Sequence, residues 1–350
     1  MTISKSQTYT NLYNKVVFIR RIKLAVIGCG AVAEIFHLPN IQRMPEFELK
    51  YLVDVSEARI NDIKRKLNID GIPEKDYKKV LSDKDVDAVA ILTPPKFHHQ
   101  MVLDAAEAGK HVFCEKPFAT NTDEAEDMVN ACRRNDTKLM VGFNFRFIPQ
   151  FRKMKELIDK GFFGTIVGGH STLFANAFMW PSVTKFQYKN KEGGGALFEM
   201  GTHHIDLMNW FHGEAKSVVA QISTLTNNSI DDTASVYLQY KSNANCAVYI
   251  GWNKLSVNTA TIIGLDGYAT TFANKNEIIY YRKDLVGQAP IRIKVDKSLS
   301  PYQEELRHFY ECISHNKNTM TTGNEIINSV KVVEKAYESS ELSTPVSLGD

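Results

Sequence analysis

The feature that most constrains this chain is a short glycine turn. Gly28-Cys-Gly30-Ala-Val-Ala33 follows an apolar run from Ile22 to Ile27 and opens a segment with helical patterning. Each small residue has a physical task there. Gly28 permits the tight turn, Gly30 lets a pyrophosphate approach the backbone, and Ala33 allows the helix to pack close to a sheet. The helix start at Gly30, Ala31, Val32 and Ala33 presents free N–H groups and a partial positive charge to phosphate oxygens. Glycines also mark ordinary strand–helix turns, so the spacing of a second residue matters. Asp54 ends the next strand-like run, 24 residues beyond Gly30, close to the offset of about 20 expected of a carboxylate that binds the adenosine ribose. A carboxylate in that place repels a 2′-phosphate, which favours NAD over NADP while leaving NADP possible.

The pattern around the turn repeats as strand, turn and helix. Strands are predicted over Ile22–Gly28, Glu48–Asp54, Val86–Leu92, His111–Cys114 and Lys138–Gly142. Helices are predicted over Ala31–Met44, after an N-capping Ser56, over Phe97–Ala108 with Gly109 as C-cap, and over Thr122–Asn135. Alternation at this spacing implies an α/β Rossmann domain, a doubly wound parallel sheet with right-handed crossovers.

Beyond residue 143 the texture changes. Phe151–Lys160 reads as an amphipathic helix, and a glycine run at 193–195 precedes a helix reaching Phe211. Strand-like runs follow at 217–224, 233–240, 244–252, 259–263, 276–282 and 291–296, then two helices near 302–315 and 323–339. Short Val-, Ile- and Tyr-rich runs between polar breaks imply an α+β domain with an open, mainly antiparallel sheet. The expected organisation is a tail over 1–20, a dinucleotide-binding domain over 21–143, and an α+β domain over 144–350.

Composition excludes several classes. The formal net charge is +2, which gives no reason to expect a nucleic acid or an anionic membrane. No apolar run approaches the ~18 residues of a membrane helix, and Val16–Ile19 is too short for a secretory core of about 7–15 residues. The five cysteines are widely spaced and form no CxxC pair, which fits reduced thiols in the cytoplasm better than a disulfide framework.

Three further segments stand in order along the chain. They are Thr93-Pro94-Pro95-Lys-Phe-His98, Gly109-Lys-His-Val-Phe-Cys-Glu115-Lys116-Pro117, and Gly193-Gly-Gly-Ala-Leu-Phe-Glu199-Met-Gly201-Thr-His203-His-Ile-Asp206. With the glycine turn, they closely resemble the Gfo/Idh/MocA family, named for glucose–fructose oxidoreductase and inositol dehydrogenase. The resemblance runs from about residue 22 to the end. It implies a Rossmann domain, a C-terminal α+β domain with an open sheet, and nicotinamide-dependent oxidation or reduction of sugars, sugar derivatives or cyclitols. It also implies substrate-binding and oligomerisation roles for the domain over 144–350, with dimers or tetramers built through that sheet.

Moving a hydride to or from a carbinol carbon also requires a proton to leave or join its oxygen. A cation near that oxygen stabilises alkoxide character, and a group titrating near neutrality moves the proton. Lys116 lies just past a strand end, where open α/β sheets bind ligands, and it matches the catalytic lysine of the family's Glu-Lys-Pro motif. His203 is the candidate proton shuttle, because imidazole titrates near pH 7. Glu199, His203 and Asp206 lie at i, i+4 and i+7 and would share one helical face. By motif, Glu199 and His203 occupy the family's catalytic Asp and His positions. The extra methylene of Glu199 moves its carboxylate by more than ~1 Å, enough to alter substrate contacts or the tuning of Lys116. Asp206 is expected to orient His203 or its helix, and His204, about 100° further round, to be structural.

Glu115 matches the family residue that bonds the cofactor ribose, and Thr93, Pro94, Pro95 and His98 would line the wall beside the cofactor. Asn144 and Arg146, just after the last strand of the first domain, are candidate nicotinamide or substrate contacts, with an interdomain salt bridge the alternative for Arg146. Trp180 could form an aromatic wall for a sugar face. The aromatics at 143, 145, 147 and 151 read as packing. A metal at Glu199, His203, His204 and Asp206 is not expected, since the spacing is not HExxH. Two other functions stay open: a catalytically silent dinucleotide- and sugar-binding regulator, and an enzyme that recycles NAD within glycoside cleavage.

Overall fold

The computed structural model describes residues 7–12, 15–176, 194–225, 230–252, 256–285, 287–296, 299–321 and 323–349. The expected tail holds an antiparallel pair, β1 (Gln7–Leu12) and β2 (Lys15–Arg20). The chain then divides into two compact units.

The first unit is Met1–Phe118, Glu126–Gly142 and Tyr302–Thr322. Its sheet contains β3 (Ile22–Ile27), β4 (Phe47–Val53), β5 (Ile72–Glu74), β6 (Ala88–Ile91), β7 (His111–Cys114) and β8 (Leu139–Val141). The order is β5-β4-β3-β6-β7-β8 and every pair is parallel. β6 is buried along its whole length, as a parallel strand covered on both faces must be. The connecting helices are α1 (Leu38–Arg43), α2 (Glu57–Leu67), α3 (Tyr77–Ser82), α4 (His98–Glu107) and α5 (Thr122–Arg134). Ser56 caps α2 as expected, its hydroxyl accepting from Arg59 N at 3.3 Å. A π turn over Ala33–His37 precedes α1, so the single α-helix expected from Ala31 to Met44 is instead two geometries in series.

One segment differs from the sequence reading in its allegiance. Tyr302–Thr322, expected with the second domain, packs in the first unit. Its helix α8 (Pro301–Ser314) lays Phe309 against Phe113 and Tyr310 against Phe47, with ring centroids 5.9 and 6.1 Å apart, and stacks Tyr302 on Phe36 at 4.4 Å.

The second unit, Ala119–Ala125, Phe143–Pro301 and Gly323–Asp350, is built on a nine-stranded sheet. It holds β9 (Ile166–Ala175), β10 (Ala215–Ser223), β11 (Thr233–Tyr240), β12 (Asn245–Trp252), β13 (Val257–Gly264), β14 (Gly267–Phe272), β15 (Glu277–Arg282), β16 (Ile291–Lys294) and β17 (Val346–Ser347). The order is β16-β15-β14-β13-β9-β12-β11-β10-β17, antiparallel except for β9 with β12. β9, the central strand, is absent from the sequence reading, and it carries Gly168-Gly169 in its interior. The neighbouring backbones explain those glycines: a Cβ would stand 2.3 Å from Asn245 O at the first and 2.4 Å from Thr261 O at the second.

One face of this sheet buries Val218, Val236, Val248, Ile262 and Ile278 against three helices. These are α6 (Pro149–Asp159), α7 (Thr202–His212) and α9 (Gly323–Leu342), contributing Met154, Met208 and Val333 among others. The other face carries Val219, Tyr237, Ile263, Tyr268 and Tyr281, each more than a third exposed. All five cysteines are buried and none is in a disulfide. Among the described residues, no helix is long and apolar enough to cross a membrane.

Candidate active site

In the first unit the candidate residues gather along the carboxyl ends of the strands. Gly28 follows β3, Asp54 follows β4, Thr93 follows β6 and Glu115 follows β7. Gly28 has φ +99°, and a Cβ would meet the carbonyl of Leu92 at 2.8 Å, so the turn accepts no other residue without movement. Asp54 holds the turn in place: Oδ2 accepts from Cys29 N at 2.9 Å, and Oδ1 from Ser56 N at 2.9 Å. Arg59 braces the other side, donating from Nε to Cys29 O at 2.7 Å and pairing with Glu34. Gly30 is exposed, and a Cβ there would meet nothing within 4 Å. Ala33 is fully buried. The open space over Gly30, the helix start and a carboxylate at the next strand end suit a dinucleotide.

His98 corrects the sequence reading. It is fully buried, with Nε2 2.7 Å from Thr93 O and Nδ1 3.1 Å from Phe118 O. Such a ring cannot touch a cofactor; it ties the Thr93-Pro94-Pro95 loop to the segment after Pro117. Burial lowers its pKa, so it is neutral at pH 7. Thr93 and Pro95 are half-buried and Pro94 is exposed, which leaves the loop itself accessible.

Glu115 is 6% exposed, with Oε1 2.6 Å from His37 Nε2 and Oε2 accepting from Lys116 N at 2.9 Å. Burial pushes this carboxyl up, but the His37 hydrogen bond and the charges of His37 and Lys116 outweigh it, leaving its pKa below the ordinary value. A Cβ at Gly142 would come 3.1 Å from the carboxylate, so a glycine at the end of β8 leaves Glu115 its room. Lys116 is half-buried.

The second unit supplies the other candidates. After β8 a short 3-10 turn, Asn144–Phe147, faces α7. Phe145 lies flat on the His203 ring, with centroids 4.3 Å apart and planes 11° from parallel. His203 is half-buried. His204 is fully buried, 3.2 Å from Asn258 Oδ1, and desolvation lowers its pKa to about 4, so its structural assignment agrees with its surroundings. Phe143, Phe147 and Phe151 are core residues.

Arg146 makes a salt bridge, the alternative to a substrate contact, but within the second unit and not between domains. Its guanidinium is fully buried and grips Asp206 in a two-pronged bond, Nε to Oδ2 at 2.8 Å and Nη2 to Oδ1 at 2.7 Å, while Nη1 reaches Glu325 at 2.8 Å. Burial and the two carboxylates act oppositely on the guanidinium, and the carboxylates win. For Asp206 burial wins and raises the pKa despite Arg146. The forked geometry is that of an ion pair, so both groups are charged. Asp206 also accepts from Ser329 at 3.2 Å. Its oxygens are thus committed to Arg146 and α9, and what it orients is α7 as a body.

Glu199 is 7% exposed and lies in a second π turn, Leu197–Gly201, joined directly to α7. The wider turn breaks the i, i+4, i+7 register expected of Glu199, His203 and Asp206. Asp231, missed by the sequence reading, fixes this turn: it accepts from Leu197 N and from the Tyr337 hydroxyl, both at 2.9 Å. Asn144 is buried, and its Oδ1 has no partner among the described residues. Trp180 lies outside the described residues.

Comparison with known proteins agrees across the chain. Residues 22–143 match the profile described as "Oxidoreductase family, NAD-binding Rossmann fold", and residues 151–270 match "GFO/IDH/MocA C-terminal domain". The chain is 30% identical over 343 residues to the uncharacterized oxidoreductase YrbE of Bacillus subtilis, covering 94% of this chain and 97% of that one. It is 32% identical over 229 residues to a myo-inositol 2-dehydrogenase of Thermotoga maritima, covering 64% and 66%. Its fold is similar to that of a levoglucosan dehydrogenase solved with NADH, at TM-score 0.86 and 20% identity, covering 94% of this chain and all of that one.

Proposed function

The chain belongs to the Gfo/Idh/MocA oxidoreductase family, and from that membership we propose that it interconverts a hydroxyl and a keto group on a sugar, sugar derivative or cyclitol with NAD as the preferred cofactor. One observation carries the reading: Glu115-Lys116-Pro117 stands at the same carboxyl edge of the parallel sheet as the glycine turn and Asp54. The likeness to an inositol dehydrogenase supports the substrate class.

The nicotinamide cofactor, when bound, accepts or supplies the hydride. Gly28, Gly30, Ala31, Val32 and Ala33 would cradle its pyrophosphate, Asp54 and Glu115 its ribose hydroxyls, and Thr93, Pro94 and Pro95 its flank. Lys116 stabilises negative charge at the reacting oxygen through its ammonium, and His203 exchanges the proton at its imidazole. Glu199 and Asn144 hold substrate hydroxyls. Phe145, stacked on His203, limits the rotation of the ring. The buried, unpaired cysteines suit a reducing, cytoplasmic compartment.

The decisive experiment follows absorbance at 340 nm with NAD and NADP against a panel of inositols, sugars and nucleotide sugars. Net reduction of NAD by one member supports the proposal; no turnover with any, despite measurable dinucleotide binding, favours a regulator. Asp54→Ala is expected to lower the preference for NAD over NADP by about tenfold or more, by removing the charge that repels a 2′-phosphate. An unchanged ratio of kcat/KM values would take Asp54 out of cofactor selection.

We also propose that copies of the chain associate through the open face of the nine-stranded sheet as a homodimer or homotetramer. The exposed Val219, Tyr237, Ile263, Tyr268 and Tyr281 on that face support this, because burying such side chains against a second copy removes a broad apolar surface from water. Tyr237→Asp combined with Tyr268→Asp is expected to reduce the mass measured by light scattering to that of one chain. A wild-type protein already of one-chain mass would end this part of the proposal.

A further inference from the structure

Three ionisable side chains from distant stretches of sequence meet inside the first unit. His37 ends the π turn after β3, Glu115 follows β7, and Glu305 lies on α8. All three are buried, and their nearest donor atoms lie within 4.8 Å of one another. His37 and Glu115 are already joined at 2.6 Å. Glu305 is 0% exposed, and neither of its oxygens has a hydrogen-bond partner among the described residues. A second ionised carboxyl in this place would face Glu115 across a short gap in a medium of low polarity, where like charges are costly. Glu305 therefore needs either a bound cation or a proton. The His37–Glu115 contact decides between them. Two ligands held about 2.0–2.1 Å from one zinc-sized ion stand about 3 Å or more apart, whereas 2.6 Å is a hydrogen bond.

We propose that Glu305 is a positioning residue for the Glu115–Lys116 segment, standing opposite the His37–Glu115 hydrogen bond as a neutral carboxylic acid, so that Glu115 is the one ionised carboxyl of the cluster. Its importance for turnover rests on the reading of Lys116 as the catalytic cation; its protonation does not. The other groups around the cluster are Lys116 and Cys114 on either side of Glu115, His98, which feels the Glu115 charge, and Tyr302, whose ring meets His37 edge-on at 5.6 Å. Burial holds the Glu305 carboxyl well above its ordinary 4.5, and the Glu115 charge adds to the rise. The sign of the consequence follows. A carboxyl raised on folding stabilises the native state fully below the unfolded-chain value, and that contribution is lost as pH rises through the folded value.

Glu305→Gln copies the shape of the neutral acid and cannot ionise. Melting temperatures of the full-length wild type and variant are compared from pH 5 to pH 9. The two are expected to lie closest at the acid end of the range, with the wild type falling progressively below the variant toward pH 9. The alkaline limb of the kcat–pH profile should move to higher pH in the variant. If the melting curves diverge as stated and the kcat profile does not move, the protonation stands and the link to Lys116 falls. Should the glutamine variant fail to fold, Glu305→Met must show the same flattening of the pH dependence. A variant destabilised equally at every pH overturns the proposal. So does a stoichiometric divalent metal in the purified wild type, measured by elemental analysis and lost on Glu305→Gln.

Discussion

Lys116→Ala is expected to lower kcat by about 10²–10⁴-fold while NADH binding, followed by fluorescence titration, stays within a few-fold of wild type. The asymmetry is the content of the prediction. An ammonium at the reacting oxygen is worth most when that oxygen carries charge, so its removal costs more in the transition state than in the ground state. The dinucleotide's grip comes from elsewhere, from the turn held by Cys29 N on Asp54 and the open face of Gly30. His203→Ala should fall in the same range, and Lys116→Arg should recover only part of the loss, since the planar guanidinium cannot place its charge as a compact ammonium does. Both alanine variants retaining full activity on the true substrate would remove these residues from the chemistry.

Arg146→Met should destabilise the protein by about 3–5 kcal/mol in urea denaturation, the usual cost of stripping one partner from a buried ion pair. The cost arises because Asp206, 1% exposed, would lose both arms of its ion pair, and Glu325 would lose its bond to Arg146. Replacing both buried partners, Arg146→Met with Asp206→Leu, is expected to recover much of that stability, since the charge that remains, on Glu325, is 41% exposed and reaches water. The double variant should still turn over poorly if Asp206 holds α7, and with it His203, in place. A single variant as stable as wild type would show the pair to be dispensable to the fold.

Much of this was legible in sequence because local rules and tertiary demands coincide in the first unit. A buried parallel strand must be continuously apolar, a helix start must be capped, and a phosphate-binding turn must be glycine, so β3, Ser56 and Gly28 announce themselves. The second unit hides more. Gly168-Gly169 imitates a turn because glycine is demanded by backbones that approach from either side, and no pattern within β9 reveals those neighbours. Arg146 and His98 carry the residue types of ligand contacts yet are buried as internal ties, a distinction that depends on partners 60 residues away for Arg146. Asp231 and Glu305 lie outside every motif. The π turn at Leu197–Gly201 defeats a helical wheel, because a single widened turn shifts the phase of everything before it.

The return of Tyr302–Thr322 to the first unit has a consequence for how the molecule is made. The nucleotide-binding half cannot complete its interior during synthesis until the ribosome has read past residue 312, because Phe309 and Cys312 are missing from it until then. A fragment cut after residue 143 would therefore expose the apolar flank that α8 covers, and a workable minimal nucleotide-binding protein would have to splice that late helix back on.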